Sequence, residues 1–117
     1  LMFSPAKVTA LGAPGGSRII TEVLLGILGY DDGLTAAEVA AKPRFHHQWW
    51  PDVISAEPDA FDARTVAALE AMGHEVNAGE GTWGILNTVA WDRIENTLSA
   101  GADPRNPVGS GEVLLQP

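Results

Sequence analysis

Cysteine is absent from the 117 residues of this chain, which excludes disulfide bonds and thiolate zinc sites. Basic residues are few: 7 Lys and Arg stand against 15 Asp and Glu, and the formal net charge of −8 argues against a nucleic-acid partner. No apolar run approaches the roughly 20 residues needed to span a bilayer. The remaining composition, 45% hydrophobic and 19% charged, is typical of a globular chain with one modest core.

The first five residues, Leu1–Pro5, lack the basic region and the small-residue cleavage site of a signal peptide. They are also not typical of a natural start, so we expect a piece of a larger protein, or a processed or engineered N-terminus. Residues 1–117 are predicted to form a single domain fragment. Residues 104–117 are rich in glycine and proline and are predicted to be a loose tail.

Local patterns predict secondary structure along the first third of the chain. Lys7–Leu11 alternates like a strand, and Ser17–Leu28 has apolar residues at helical spacing with Gly29 as its stop. Thr35 followed by Glu38 is a capping box, which opens a short second helix.

The rest of the chain is predicted to contain one helix and several short strands. The helix is Asp62–Met72, with Val66, Leu69 and Met72 as its buried stripe. The predicted strands are Arg44–Gln48, Val53–Ala56, His74–Val76, Trp83–Trp91 and Thr97–Ala100. Because hairpins favour antiparallel pairing, we predict an α+β fold, mainly antiparallel sheet with helices on one face.

The turn Pro14–Arg18 is the candidate for chemistry. Gly15 and Gly16 let the backbone approach a ligand, and their N–H groups would lie at a helix N-terminus, where donors are unpaired and negative charge is favoured. Such a turn suits an anion or the oxyanion of acyl transfer. From these five residues alone, a plain strand-to-helix turn is the favoured interpretation. The pattern is neither a Walker loop nor a dinucleotide fingerprint, and the final glycine of a nucleophile elbow around Ser17 is missing.

Other distinctive residues are predicted to be structural. His46 and His47 are adjacent, so on a strand they face opposite sides, and His74 adds no metal-ligand spacing. No metal site and no cofactor are predicted. Trp49–Trp50 is predicted to be core rather than a partner-facing patch. Asp103–Arg105 is predicted to form a turn with a surface ion pair.

Several blocks of sequence closely resemble the C-terminal part of gamma-glutamyltranspeptidases. These blocks occur in the family's order with compatible gaps and span nearly the whole chain from Leu11 onward. They are Leu11–Thr21, Ala36–Trp49, Pro51–Asp52, Leu69–Val76 and Asp103–Arg105.

The resemblance implies part of an N-terminal-nucleophile hydrolase, an αββα sandwich whose precursor cleaves itself into a large and a small subunit. The new N-terminal threonine attacks a gamma-glutamyl amide such as glutathione, and the acyl group passes to water, an amino acid or a peptide. In that family the paired glycines of this turn form the oxyanion hole, which corresponds to Gly15 and Gly16. The implied partners are the remainder of the small subunit, the large subunit and the gamma-glutamyl substrate, and the implied location is periplasmic or extracellular.

The sequence departs from the family upstream of the turn. Only 14 residues precede Gly15, so the threonine nucleophile lies outside this chain. Leu1 and Met2 stand where the family has a serine pair that contacts substrate, and that role is not transferred. We therefore expect no activity, and possible self-association, from the fragment alone.

Two alternatives stay open. One is a cephalosporin or glutaryl amidase of the same family, since members share the glycine turn. The other is a noncatalytic domain that binds a small anion at Gly15 and Gly16.

Overall fold

The structure is a computed structural model that describes residues 1–79 and 81–114. These residues form helices α1 (Ile19–Asp31), α2 (Ala36–Ala41) and α3 (Ala63–Ala71). They also form strands β1 (Met2–Phe3), β2 (Lys7–Gly12), β3 (Phe45–His46), β4 (Ile54–Ala56), β5 (Val76–Ala78), β6 (Asn87–Asp92) and β7 (Thr97–Gly101).

The chain divides into two compact units. Leu1–Lys42 and Gly84–Pro117 form the first unit, and Pro43–Trp83 forms the second. The single domain fragment expected from the sequence stays a prediction. Within the described residues, no helix is both long enough and apolar enough to cross a membrane.

The first unit is built on a four-stranded antiparallel sheet in the order β1-β2-β6-β7. Leu11 pairs with Thr88, and Thr88 pairs with Gly101, so these residues lie on one face of the sheet. Both helices of the unit contact this face: the Tyr30 hydroxyl of α1 lies 2.6 Å from the Thr88 hydroxyl, and Gly101 abuts the start of α2. The predicted α+β class, with helices on one face of an antiparallel sheet, is confirmed.

Helix α1 packs against the core along one face. Its buried residues are Glu22, Leu25, Gly26, Gly29 and Tyr30. The prediction that Gly29 ends the helix is wrong, because the helix runs to Asp31 and Gly29 is an internal contact point for Val39. Burial raises the pKa of Tyr30 above its ordinary value, and the hydrogen bond with Thr88 only partly opposes this, so Tyr30 keeps its proton.

The outward side of α1 is apolar as well. Ile20, Leu24 and Leu28 are 78%, 50% and 46% exposed. Residues four apart lie on one face of a helix, so the three side chains make a continuous exposed stripe. An exposed apolar stripe of this kind marks a contact surface rather than a solvated face.

Helix α2 begins with the predicted capping box. The backbone N–H and hydroxyl of Thr35 donate to Glu38 Oε2 at 2.8 and 2.7 Å, and the Glu38 N–H donates to Thr35 Oγ1 at 3.3 Å. These hydrogen bonds favour the ionised carboxylate and lower the pKa of Glu38 below its ordinary value.

The capping box makes the stability of the chain depend on pH. Because the folded-state pKa of Glu38 is lowered, its contribution is fully present above the unfolded-state value and is lost as pH falls through the folded-state value. We expect Glu38→Gln to flatten the acid limb of a plot of unfolding free energy against pH, measured by urea denaturation from about pH 7 to about pH 3. Glu70→Gln, on the exposed surface of α3, is the control and should leave the limb unchanged. Identical limbs for the wild type and Glu38→Gln would contradict the prediction.

Glycine at position 101 is required by the packing of α2 on β7. A methyl group there would overlap the Ala36 carbonyl and lie 2.9 Å from the Ala37 nitrogen, both backbone atoms that cannot rotate away. We expect Gly101→Ala to cost about 1–3 kcal/mol of unfolding free energy. In the same sheet, Gly12→Ala places its methyl in open space and should cost nothing measurable in the same urea titration.

The Asp103–Arg105 ion pair is buried, so the prediction of a surface pair is wrong. Asp103 is 1% exposed and its carboxylate accepts hydrogen bonds from the Leu86 N–H at 2.7 Å and from Arg105 Nη1 at 3.0 Å. Arg105 in turn donates to the carbonyls of Ala40 and Lys42, at 3.3 and 3.2 Å. The pair therefore joins the end of β7, the approach to β6 and the C-terminal end of α2.

The second sheet face of the first unit is open and apolar. Phe3, Trp91 and Leu98 belong to this face through the register of β1, β2, β6 and β7, and they are 74%, 41% and 55% exposed. The segment Ser110–Glu112 lines part of the same face beside Ala10 and Ala100. The predicted loose tail, 104–117, extends past residue 114 and so lies partly outside the described residues.

The second unit is a small mixed sheet with one helix. Strands β3 and β4 form the predicted antiparallel pair, and β5 joins β4 in parallel. The buried stripe predicted for α3 is wrong: none of its residues is buried, Val66 and Leu69 are partly buried and Met72 is 68% exposed.

The tryptophan pair of the second unit is not core. Trp49 is 91% exposed and Trp50 is 77% exposed, which overturns the prediction of buried residues. The two residues lie in a bend between β3 and β4.

Candidate functional site

The candidate site is the turn between β2 and α1. Strand β2 ends at Gly12, and a single 3-10 turn, Gly16–Arg18, leads into the helix. Gly15 has φ +152° and Gly16 has φ +60°, both in the region that L side chains rarely adopt. Glycine at both positions is therefore required by the backbone, as the sequence predicts.

The turn presents its backbone to the surroundings. Pro14, Gly15, Gly16 and Ser17 are all exposed, and nothing lies within 4 Å of the place where a side chain at Gly16 would begin. Among residues 1–79 and 81–114, no group accepts a hydrogen bond from the N–H of Gly15 or Gly16. Two backbone donors at the start of a helix are thus available to a negatively charged oxygen.

A buried carboxylate lies directly behind the turn. Glu22, in the first turn of α1, is 1% exposed. Its Oε1 would be 2.7 Å from a Cβ at Gly15, and a Cβ at Gly84 would overlap the carboxylate. Gly84, at φ +70°, begins the segment that leads into β6. Glu22 is therefore packed between two glycine backbones, one of which belongs to the candidate site.

Sequence reasoning missed Glu22. The spacing held a usable signal, since Glu22 precedes the buried Leu25, Gly26 and Gly29 by three, four and seven positions. The contact with Gly84 could not be inferred, because the two residues are far apart in sequence.

The histidines occupy structural positions in the second unit. His46 is buried with Nε2 3.0 Å from Gln48 Oε1, whereas the half-exposed His47 lies 2.8 Å from Asp52 Oδ1. The two rings thus have different surroundings, although β3 ends at His46 and His47 lies just beyond it. No cluster of three potential metal ligands occurs within the part of the chain that the structure describes.

Comparison with known proteins identifies the family. The family model described as Gamma-glutamyltranspeptidase matches residues 2–113. The chain belongs to the gamma-glutamyltranspeptidase family. The resemblance noted in the sequence is thereby confirmed across nearly the whole chain.

Individual relatives agree with this assignment. The Glutathione hydrolase proenzyme of Escherichia coli (strain K12) is 40% identical over 96 residues, which cover 81% of this chain and 16% of the relative. Gamma-glutamyltranspeptidase from Pseudomonas nitroreducens, solved in complex with L-DON, superposes with a TM-score of 0.76 at 29% identity, covering 92% of this chain and 55% of that one. A mutant of Helicobacter pylori gamma-glutamyltranspeptidase gives a TM-score of 0.74 at 32% identity, covering 84% and 54%.

The chain spans only part of these gamma-glutamyltranspeptidases: about one sixth of the Escherichia coli precursor and about half of the solved chains. The fold class predicted from the family is confirmed, because the same segment in solved members has the same fold.

Proposed function

We propose that this segment supplies the oxyanion hole of a gamma-glutamyltranspeptidase that cleaves gamma-glutamyl amides such as glutathione. The observation that supports this most directly is the exposed Gly15–Gly16 turn, with two available N–H donors at the start of a helix, in a chain of this family. In the proposed reaction, the hydroxyl oxygen of the precursor's N-terminal threonine bonds to the gamma-carbonyl carbon. Its proton passes to the threonine amine.

The negative charge of the tetrahedral intermediate falls on the former carbonyl oxygen. The N–H groups of Gly15 and Gly16 stabilise that oxygen, because fixed donors in a shielded site need no reorganisation as the charge develops. The carbon–nitrogen bond then breaks, the leaving amine takes the proton, and water, an amino acid or a peptide accepts the gamma-glutamyl group from the acyl-enzyme.

The remainder of the precursor is the proposed partner of the two exposed apolar surfaces. The open sheet face carries Phe3, Trp91 and Leu98, and the α1 stripe carries Ile20, Leu24 and Leu28. Both surfaces belong to a chain that makes up a small part of its relatives' length, so missing segments are available to cover them. On this basis the fragment alone is inactive and self-associates, which sedimentation of the isolated chain tests. A periplasmic or extracellular location is proposed from the family alone, and fractionation of cells tests it.

The proposed activity is tested on the full-length parent. After incubation, mass spectrometry should find two chains, of which the smaller begins with threonine and contains this segment. The processed protein should release the anilide from a gamma-glutamyl anilide. A glutaryl amide is the matched alternative substrate, and turnover of that compound alone would indicate the amidase. One uncleaved chain without turnover would favour a noncatalytic domain that binds small anions.

A further inference from the structure

Glu22 is a buried acidic residue with no place in the proposed reaction. Its side chain is almost completely shielded from water and contacts the backbone at Gly15 and at Gly84. Burying a carboxylate costs free energy that an apolar residue of similar size would not cost. Buried residues that lower stability in this way are expected more often beside functional sites than elsewhere in a protein.

The Glu22 carboxylate lies against the backbone of two glycines. At Gly15 and Gly84 the absence of a side chain leaves space that the Glu22 carboxylate occupies. Because glycine has no Cβ, the backbone at both positions can take other conformations unless a neighbour fixes it. The carboxylate fills the gap between the turn and the segment before β6, and so limits the movement of Gly15.

We propose that Glu22 is a positioning residue, which holds the Gly15 backbone so that the N–H groups of Gly15 and Gly16 point at the developing oxyanion. The inference rests on the proposed function for its catalytic consequence. The proposed role depends on the shape and packing of the Glu22 side chain and not on its charge. A glutamine of equal size should therefore substitute for glutamate, and an alanine should not.

The test uses the processed parent enzyme in three forms: wild type, Glu22→Gln and Glu22→Ala. For Glu22→Ala we expect kcat for a gamma-glutamyl anilide to fall about 10- to 100-fold with KM changed less than about threefold, because displaced catalytic groups lower the rate more than binding. Glu22→Gln should retain kcat within about threefold of wild type. Glu38→Ala, which removes the capping box on α2, is the control for general destabilisation and should leave kcat unchanged.

A second readout does not depend on activity. Amide hydrogen exchange of the peptide that contains residues 12–18 should become faster in Glu22→Ala, and should match wild type in Glu22→Gln. If the wild type lacks gamma-glutamyl turnover, the proposed function fails and exchange alone decides whether Glu22 positions the turn. If Glu22→Ala does not fold, Glu22→Asp, shorter by one methylene, takes its place.

Two outcomes would overturn the inference. In the first, Glu22→Ala loses thermal stability like Glu38→Ala but keeps wild-type kcat and wild-type exchange in residues 12–18. In the second, Glu22→Gln loses as much kcat as Glu22→Ala, which would assign the effect to charge and not to packing.

Discussion

Replacing Gly15 by alanine in the processed parent enzyme is expected to lower kcat for a gamma-glutamyl anilide by about 10²- to 10³-fold, the loss typical of a missing oxyanion-hole donor. Alanine rarely adopts φ +152°, and its Cβ would lie 2.7 Å from Glu22 Oε1. The backbone at position 15 must therefore shift, and the N–H groups of the turn shift with it. On the proposed function, the N–H donors remain in the protein but are no longer aligned with the oxyanion.

The control for this substitution is Gly33→Ala. Gly33 also has positive φ, at +85°, and has no atom within 4 Å of an added Cβ, so alanine there is strained without any effect on the turn. We expect Gly33→Ala to lose some stability and keep wild-type kcat. Steady-state kinetics should be corrected for the fraction of processed enzyme, measured from the masses of the chains. Equal kcat values for the two variants would remove Gly15 from the site.

Structural features that depend on residues close together in the chain could be predicted from the sequence. The hydrogen bonds of the capping box form between Thr35 and Glu38, and strands β6 and β7 are joined by a short turn, so both depend little on distant contacts. The glycine pair at positions 15 and 16 was found for the same reason, because its positive φ values are a local requirement of the turn.

Features set by distant contacts could not be predicted. Helix α1 is apolar on most of its surface, so periodicity located the helix but not its buried face, and Leu24 and Leu28 point outward. Trp49 and Trp50 are large and apolar, yet burial depends on what the rest of the fold brings over them. Glu22 contacts Gly15 of the turn, but its second contact, with the distant Gly84, is one that the sequence could not show.

The largest loss of stability is expected from Asp103→Ala. The Asp103 side chain is fully buried and accepts hydrogen bonds from the Leu86 N–H and from Arg105, whose side chain is 11% exposed. Removing the carboxylate takes the acceptor away from the buried Leu86 N–H and the acidic partner away from the Arg105 guanidinium. We expect a loss of about 3–5 kcal/mol in unfolding free energy, measured by urea denaturation of the chain.

An exposed ion pair is the control that distinguishes burial from charge pairing as the cause of the loss of stability. Lys42 Nζ and Asp32 Oδ2 are 3.3 Å apart, with side chains 33% and 65% exposed, so Asp32→Ala should cost less than about 1 kcal/mol. If burying the Arg105 charge without Asp103 causes most of the loss in Asp103→Ala, then adding Arg105→Met should recover part of it, because the double variant removes both charges. Equal losses for Asp103→Ala and Asp32→Ala would mean that the Asp103–Arg105 pair does not tie α2 to the sheet.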